Sequence, residues 1–197
     1  HSALADGLLL AMVAAGAVWH SLRYRSQTIT ALALLLGFLT SVLSDVSWFT
    51  LTSSALLVIA LAWLVVRMRW DGVYVYGVFA SYATHLFWVN RQIALTPIVT
   101  PTGTVAEAQF WLNAGFLALY WVVYHATLFA LDEQDVARRN RLLTATLANG
   151  ALFVYLLLSS MASVFREARY LVLLAIGAAY WVSEGLARRR HLPTIAT

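Results

Sequence analysis

His85 and His125 stand inside apolar runs of this chain, and a neutral imidazole in such surroundings is a common axial ligand of a haem or a chlorophyll-type pigment. Gly77, Ser81 and His85 recur at four-residue spacing and share one face of a helix, while Tyr124 stands beside His125. Asn113 and Asn149 are the other polar side chains set among apolar neighbours, Asn149 directly before Gly150. Against these few groups stands a long set of absences. Without cysteine there is no disulfide, thiolate metal site or cysteine nucleophile, and the redox compartment stays open. Without lysine there is no Schiff base, pyridoxal aldimine or P-loop. Paired carboxylates, HExxH, GxSxG, a glycine-rich phosphate loop and a cluster of metal-ligand residues are all missing. The expectation is a non-enzymatic protein with no metal and no resident cofactor.

The elements that carry these residues are set by composition. Hydrophobic residues make up 61% of the 197 and charged residues 11%, against about half and about a quarter in ordinary globular domains. One soluble core could not hide that much apolar surface, and a bilayer removes the difficulty. A helix needs about 20 apolar residues to cross the hydrocarbon. Seven stretches are long enough: roughly Leu4 to Leu22, Thr28 to Ser44, Phe49 to Val66, Val73 to Val89, Phe110 to Leu131, Leu142 to Ala162 and Ala168 to Leu186. The expected fold class is therefore all-α, a polytopic integral membrane protein of about seven transmembrane helices forming one domain over 1–197.

Arginine supplies the orientation. All 13 basic residues are arginines, and they alternate along the gaps. One set of gaps holds Arg23, Arg25, Arg67, Arg69, Arg138, Arg139, Arg141, Arg188, Arg189 and Arg190, whereas the intervening set holds only Arg91, Arg166 and Arg169. By the positive-inside rule the first set is cytoplasmic, so the N-terminus is outside and the C-terminus cytoplasmic. Tryptophan agrees: Trp19, Trp70 and Trp181 fall near one interface and Trp48, Trp88 and Trp111 near the other, as amphipathic rings do. The formal charge of +4 is then a topology signal, and no nucleic-acid partner is expected. The segment Arg91 to Gln109, with Pro97, Pro101 and Gly103, reads as an external loop without helix. The chain opens at His1 without a methionine and closes on a segment that reads like the approach to another apolar run, as a fragment of a longer many-spanning protein would.

Placed in that frame, the two histidines separate. His85 falls near the outer end of an outward-running span and His125 past the middle of an inward-running one. At about 1.5 Å per residue they differ by roughly 10 to 15 Å in depth. One metal cannot take both. Structural histidines, each bonded to a neighbouring hydroxyl or carbonyl, are the favoured reading, with His85 and His125 kept as weak candidates for separate cofactor sites. Asn149 must find a partner across a helix interface. No carboxylate sits at mid-depth, where a proton-driven carrier usually keeps one. Small residues recur at four-residue spacing, Gly7, Ala11 and Ala15, then Gly37 and Ser41, then Ala175 and Ala179, and in lipid such spacing lets helix backbones approach and pack.

Several phrases carry a family likeness. Ser26 to Leu43, Leu56 to Trp70, Asn149 to Met161 and Tyr170 to Ala196, with the Gly-Phe-Leu-Thr phrase at Gly37 to Thr40, resemble a family of very long, many-spanning bacterial membrane proteins of unknown function. Ser41 follows that phrase here, where the family commonly continues with proline. The resemblance implies a segment of a larger helical array in the bacterial cytoplasmic membrane, and it supplies no catalytic residues. The expected role is a scaffold or assembly subunit whose partners are the lipid bilayer and other membrane helices or subunits. Two alternatives stand beside it: a transporter or lipid-handling module with its cavity between the Val73 to Val89 and Phe110 to Leu131 spans, and a pigment- or haem-binding subunit using His85 or His125.

Overall fold

The computed structural model of the chain describes Met12, Gly16, Trp19, Arg23 and residues 26–43, 47–95, 103–130, 136–165, 167 and 169–189. These residues form six α-helices: α1 Gln27–Leu43, α2 Ser47–Met68, α3 Asp71–Leu95, α4 Gly103–Ala130, α5 Val136–Val164 and α6 Arg169–Arg189. The first apolar run, with Gly7, Ala11 and Ala15, lies outside the described residues apart from Met12, Gly16 and Trp19.

Local chemistry sets the helix ends. Ser26 caps α1, its hydroxyl accepting from the Ile29 amide at 3.4 Å. α2 ends at Arg69, whose φ of 58° places a non-glycine residue in the left-handed region. Its amide donates to Val65 O at 2.8 Å, which closes the last turn of α2 and lets the chain reverse into α3 within two residues. α3 opens on Asp71, where the positive end of the helix dipole favours a carboxylate. Asp71 also pairs with Arg141 of α5 at 3.4 Å, and the exposure of that arginine keeps the pair's contribution small.

The proline-containing segment departs from its sequence reading. Helix covers residues up to Leu95 and resumes at Gly103, so the expected helix-free stretch from Arg91 to Gln109 is helical at both ends. Pro97 and Pro101 bias their predecessors away from the helical region only nearby, and the flanking residues follow the adjoining helices. Residues 96–102 lie outside the described set.

Four helices form a ring in which α2 touches α3, α3 touches α5, α5 touches α4 and α4 touches α2. α1 fills the groove between α2 and α3, and α6 packs only lightly on α5. At the α1–α2 contact Gly37 faces Leu57, the Ser41 and Ser54 hydroxyls meet at 3.3 Å, and Thr50 Oγ1 donates to Ser41 O at 2.8 Å. α6 presents Val172, Ile176 and Tyr180 to the body. Ala175 is exposed and Ala179 half-buried, so the stripe that packs in α6 is the larger one.

Among the described residues two helices are long and apolar enough to cross a membrane by length and composition, over Phe49–Met68 in α2 and Asn140–Met161 in α5. The apolar stretches Gln27–Val42 in α1 and Arg169–Val182 in α6 are shorter. Thus the all-α class holds, while the fold reaches two candidate spans where about seven were expected and gives no topology. The reason is visible in α3 and α4. They carry Tyr74, Ser81, Tyr82, Thr84, His85, Asn113, Tyr120, Tyr124, His125 and Thr127, all buried, which lower their mean hydropathy although the polar atoms point inward.

Gly77 marks the closest approach of α3 to α2, because a Cβ there would run into both methyls of the fully buried Leu61. Gly77→Ala is therefore expected to cost about 1–3 kcal/mol through overpacking, read as a lower Tm in detergent. Gly115→Ala, at an exposed site with open space around it, is expected to keep or raise Tm by helix propensity. Equal losses at the two positions would contradict the close α2–α3 contact.

Candidate functional site

α3 and α4 lie diagonally across the ring, and large rings bridge the space between their backbones. Tyr74 meets Tyr124 edge-on at a centroid distance of 5.7 Å, and Tyr82 meets Tyr120 edge-on at 6.2 Å. All four tyrosines are buried. Positions 74, 78, 81, 82 and 85 recur on the inward face of α3 at helical spacing, which brings a column of hydroxyls and one imidazole to the bundle axis.

The hydroxyls of Tyr74, Ser81, Tyr82 and Tyr124 each find a partner on another helix. Tyr74 Oη donates to the backbone carbonyl of Tyr124 at 3.0 Å and lies 3.2 Å from Thr146 Oγ1 of α5. Tyr124 Oη donates to Ser81 Oγ at 3.2 Å, and Ser81 Oγ donates on to Val78 O within its own helix. Tyr82 Oη donates to Asn149 Oδ1 at 2.8 Å. The other end of the same amide, Asn149 Nδ2, donates to Trp121 O of α4 at 3.4 Å. The amide orientation follows from this arrangement, since the oxygen meets a hydroxyl donor and the nitrogen a carbonyl. Asn149 thus joins α5 to α3 and to α4 at once, and its side chain is fully buried.

His85 closes the column toward the end of α3. Its Nε2 lies 2.5 Å from Asn113 Oδ1 of α4. An amide oxygen only accepts, so Nε2 is the donor of this contact. The ring also touches Tyr120 edge-on and Trp88, each at 5.6 Å. The sequence reading anticipated a neighbouring hydroxyl or carbonyl as partner, and the partner is the side-chain amide carbonyl of Asn113 on the facing helix. His85 Nδ1 and Trp88 Nε1 have no hydrogen-bond partner among the described residues.

His125 sits in a different setting. Trp121 stacks on it at 5.2 Å with 15° between the planes, Phe153 of α5 stacks on Trp121 at 5.6 Å, and Tyr180 of α6 meets both Trp121 and His125 edge-on. The neighbours of the two histidines are disjoint sets, so the structure does not bring His85 and His125 together. Among the described residues no three His, Cys, Asp or Glu side chains gather as a metal site. What these polar contacts of the interior do is lock the helices in register, Tyr74, Tyr82, Tyr124, His85 and Asn149 each bonding across to another helix. A scan against protein-family models, a search of curated proteins and a search of solved structures each return no match.

The sequence had pointed to His85, His125, Asn113 and Asn149, and to Tyr124 only as the neighbour of His125, but not to Tyr74, Tyr82 and Tyr120. Their signal was present as Tyr74 and Tyr82 two turns apart and Tyr120 and Tyr124 one turn apart in facing apolar runs.

A double-mutant cycle tests the central link. Tyr82→Phe and Asn149→Leu should each destabilise the protein, with the asparagine change costing more because it also frees the Trp121 carbonyl. The coupling between them is expected at about 0.6 kcal/mol, and no more than about 1.7, as for hydrogen bonds between helices in lipid. Strict additivity in detergent unfolding would remove the Tyr82–Asn149 bond from the interior.

Proposed function

We propose that this chain is a multi-spanning, non-enzymatic component of the bacterial cytoplasmic membrane, a scaffold or assembly subunit with its N-terminus outside and its C-terminus cytoplasmic. The observation that carries this reading is the inverted distribution of polarity. Thr30, Ser41, Thr50, Ser54, Ser81, His85, Asn113, Thr146 and Asn149 are buried. Leu32, Leu36, Leu56, Trp63, Phe79, Phe87, Trp111, Leu147, Leu174 and Trp181 are exposed by half or more of their surface, and every helix contributes at least one of them. In water such a surface would form patches far beyond those that monomeric proteins tolerate. In lipid it is the natural outside, and satisfied polar contacts become the means of holding helices together.

The inward-turned polar atoms of α3 and α4 support counting these helices as spans beside α2 and α5. The shorter α1 and α6 and the run Leu4 to Leu22 bring the proposed total to seven. The scaffold reading is preferred to a carrier because the space between α3 and α4 is occupied by tyrosine rings and the His85–Asn113 pair. A larger helical array, as the family resemblance implies, would give the apolar flanks further helices to pack against.

The chain has no native cysteine, so single-cysteine variants report without background. An impermeant thiol reagent applied to intact cells is expected to label Thr102→Cys and to label Asn140→Cys only after permeabilisation. The reverse pattern would overturn the orientation, and release of the protein from membranes by alkaline carbonate would overturn the membrane assignment itself.

A further inference from the structure

α6 is the least attached helix of the bundle. Its Val172, Ile176 and Tyr180 stripe meets the body, while Leu171, Leu174, Trp181 and Val182 are exposed. Tyr180 is the residue that enters a shaped recess. Its ring stands edge-on to Trp121 at 5.6 Å and 73°, and to His125 at 5.7 Å and 88°. Its hydroxyl accepts from Trp121 Nε1 at 3.1 Å. The floor is Gly150, where a Cβ would fall on Tyr180 Oη, so the recess exists only because position 150 has no side chain. Phe153 backs the wall by stacking on Trp121. Both Trp121 and Tyr180 are only half-buried, which puts the recess at the flank of the bundle, where α6 covers it.

Flat aromatic walls, a glycine floor and one N–H donor aimed at the ring oxygen select a hydroxylated six-membered ring. Here that ring is the phenol of the chain's own tyrosine, carried on a helix held along one line. We propose that the Trp121–His125–Gly150 recess is a binding site for the hydroxyaryl headgroup of a membrane-dissolved quinol, with Tyr180 as its internal competitor. The proposal rests on the membrane reading, because the ligand enters from the lipid side as α6 moves aside. Only binding is involved: the recess holds the ring through Trp121 Nε1 and transfers no electron. A ligand that must displace an internal occupant binds with an affinity reduced by the fraction of open molecules.

The full chain in lipid nanodiscs tests this with radiolabelled decyl-hydroquinone as the membrane probe and 4-methylphenol as the water-borne one. Tyr180→Ala is expected to raise decyl-hydroquinone affinity about tenfold or more over wild type by removing the competitor. Tyr180→Phe, which keeps the ring and loses only the Trp121 bond, should give a smaller gain and serves if the alanine variant fails to assemble. Adding Gly150→Ala to either variant should abolish the gain, because the new methyl occupies the floor. Uptake that is equal in all variants would be bilayer partitioning and would overturn the proposal. So would a Tyr180→Ala protein that takes 4-methylphenol but not decyl-hydroquinone, since the recess would then be a phenol-sized cavity without access from lipid. Recovery of the chain in the nanodisc fraction reports on the membrane reading separately, whatever the ligand does.

Discussion

The side-chain amide of Asn149 is the contact on which the interior depends. One amide has an acceptor end and a donor end, and here the two point to different helices: Oδ1 to the Tyr82 hydroxyl of α3 and Nδ2 to the Trp121 carbonyl of α4. Buried away from water, either end left unmade would carry the full desolvation cost of a polar group, on the order of 1–3 kcal/mol. The amide therefore fixes the rotation of α5 relative to two neighbours at once. A leucine of similar volume would fill the space and specify neither register.

From that contact the remaining arrangement follows with little freedom. With α5 set against both α3 and α4, the diagonal helices stand too far apart for backbone contact, and tyrosine is the side chain that spans the gap. Each ring buries a large apolar face and delivers one hydroxyl to the far side, which is why Tyr74 reaches a carbonyl of α4 and Tyr124 a hydroxyl of α3. Serines and threonines absorb what is left by bonding back within their own helices, as Ser81, Thr127 and Thr146 do. The His85–Asn113 pair applies the same logic at the end of α3.

Much of the helical framework was legible in the sequence because apolar run length is a one-dimensional signal. Asn149 was legible too, since an amide inside such a run has to find a partner on another helix. Its partners were not, because helix rotation decides which side chains face each other and no linear pattern carries that angle. The small-residue repeats show the same limit: Gly37 and Ser41 lie at the α1–α2 contact, whereas Ala175 of α6 has the same spacing and is exposed. A four-residue period says that a face exists and not which way it turns. The two proline positions misled in the other direction, since the restriction acts on neighbouring residues while Leu95 and Gly103 already belong to helices.

The two ends of the ring differ in how they are held, and the difference has a physical origin. α1 joins α2 through a buried serine pair, a threonine bond and the Gly37–Leu57 contact, three links spread over about two turns of α2. α6 joins the body through one stripe and, among the described residues, the Trp121–Tyr180 bond. In the proposed lipid setting there is no hydrophobic drive between helices, and packing and polar contacts are what remain to hold them. A helix with a single concentrated anchor is therefore the one that opens at least cost, and removing that anchor disturbs the ring of α2 to α5 least. Gly150 makes the anchor possible at the cost of some helix propensity in the middle of α5, and it lies next to the residue that fixes the register of the ring. Placing the two side by side couples the seat of α6 to the best-determined point of the bundle.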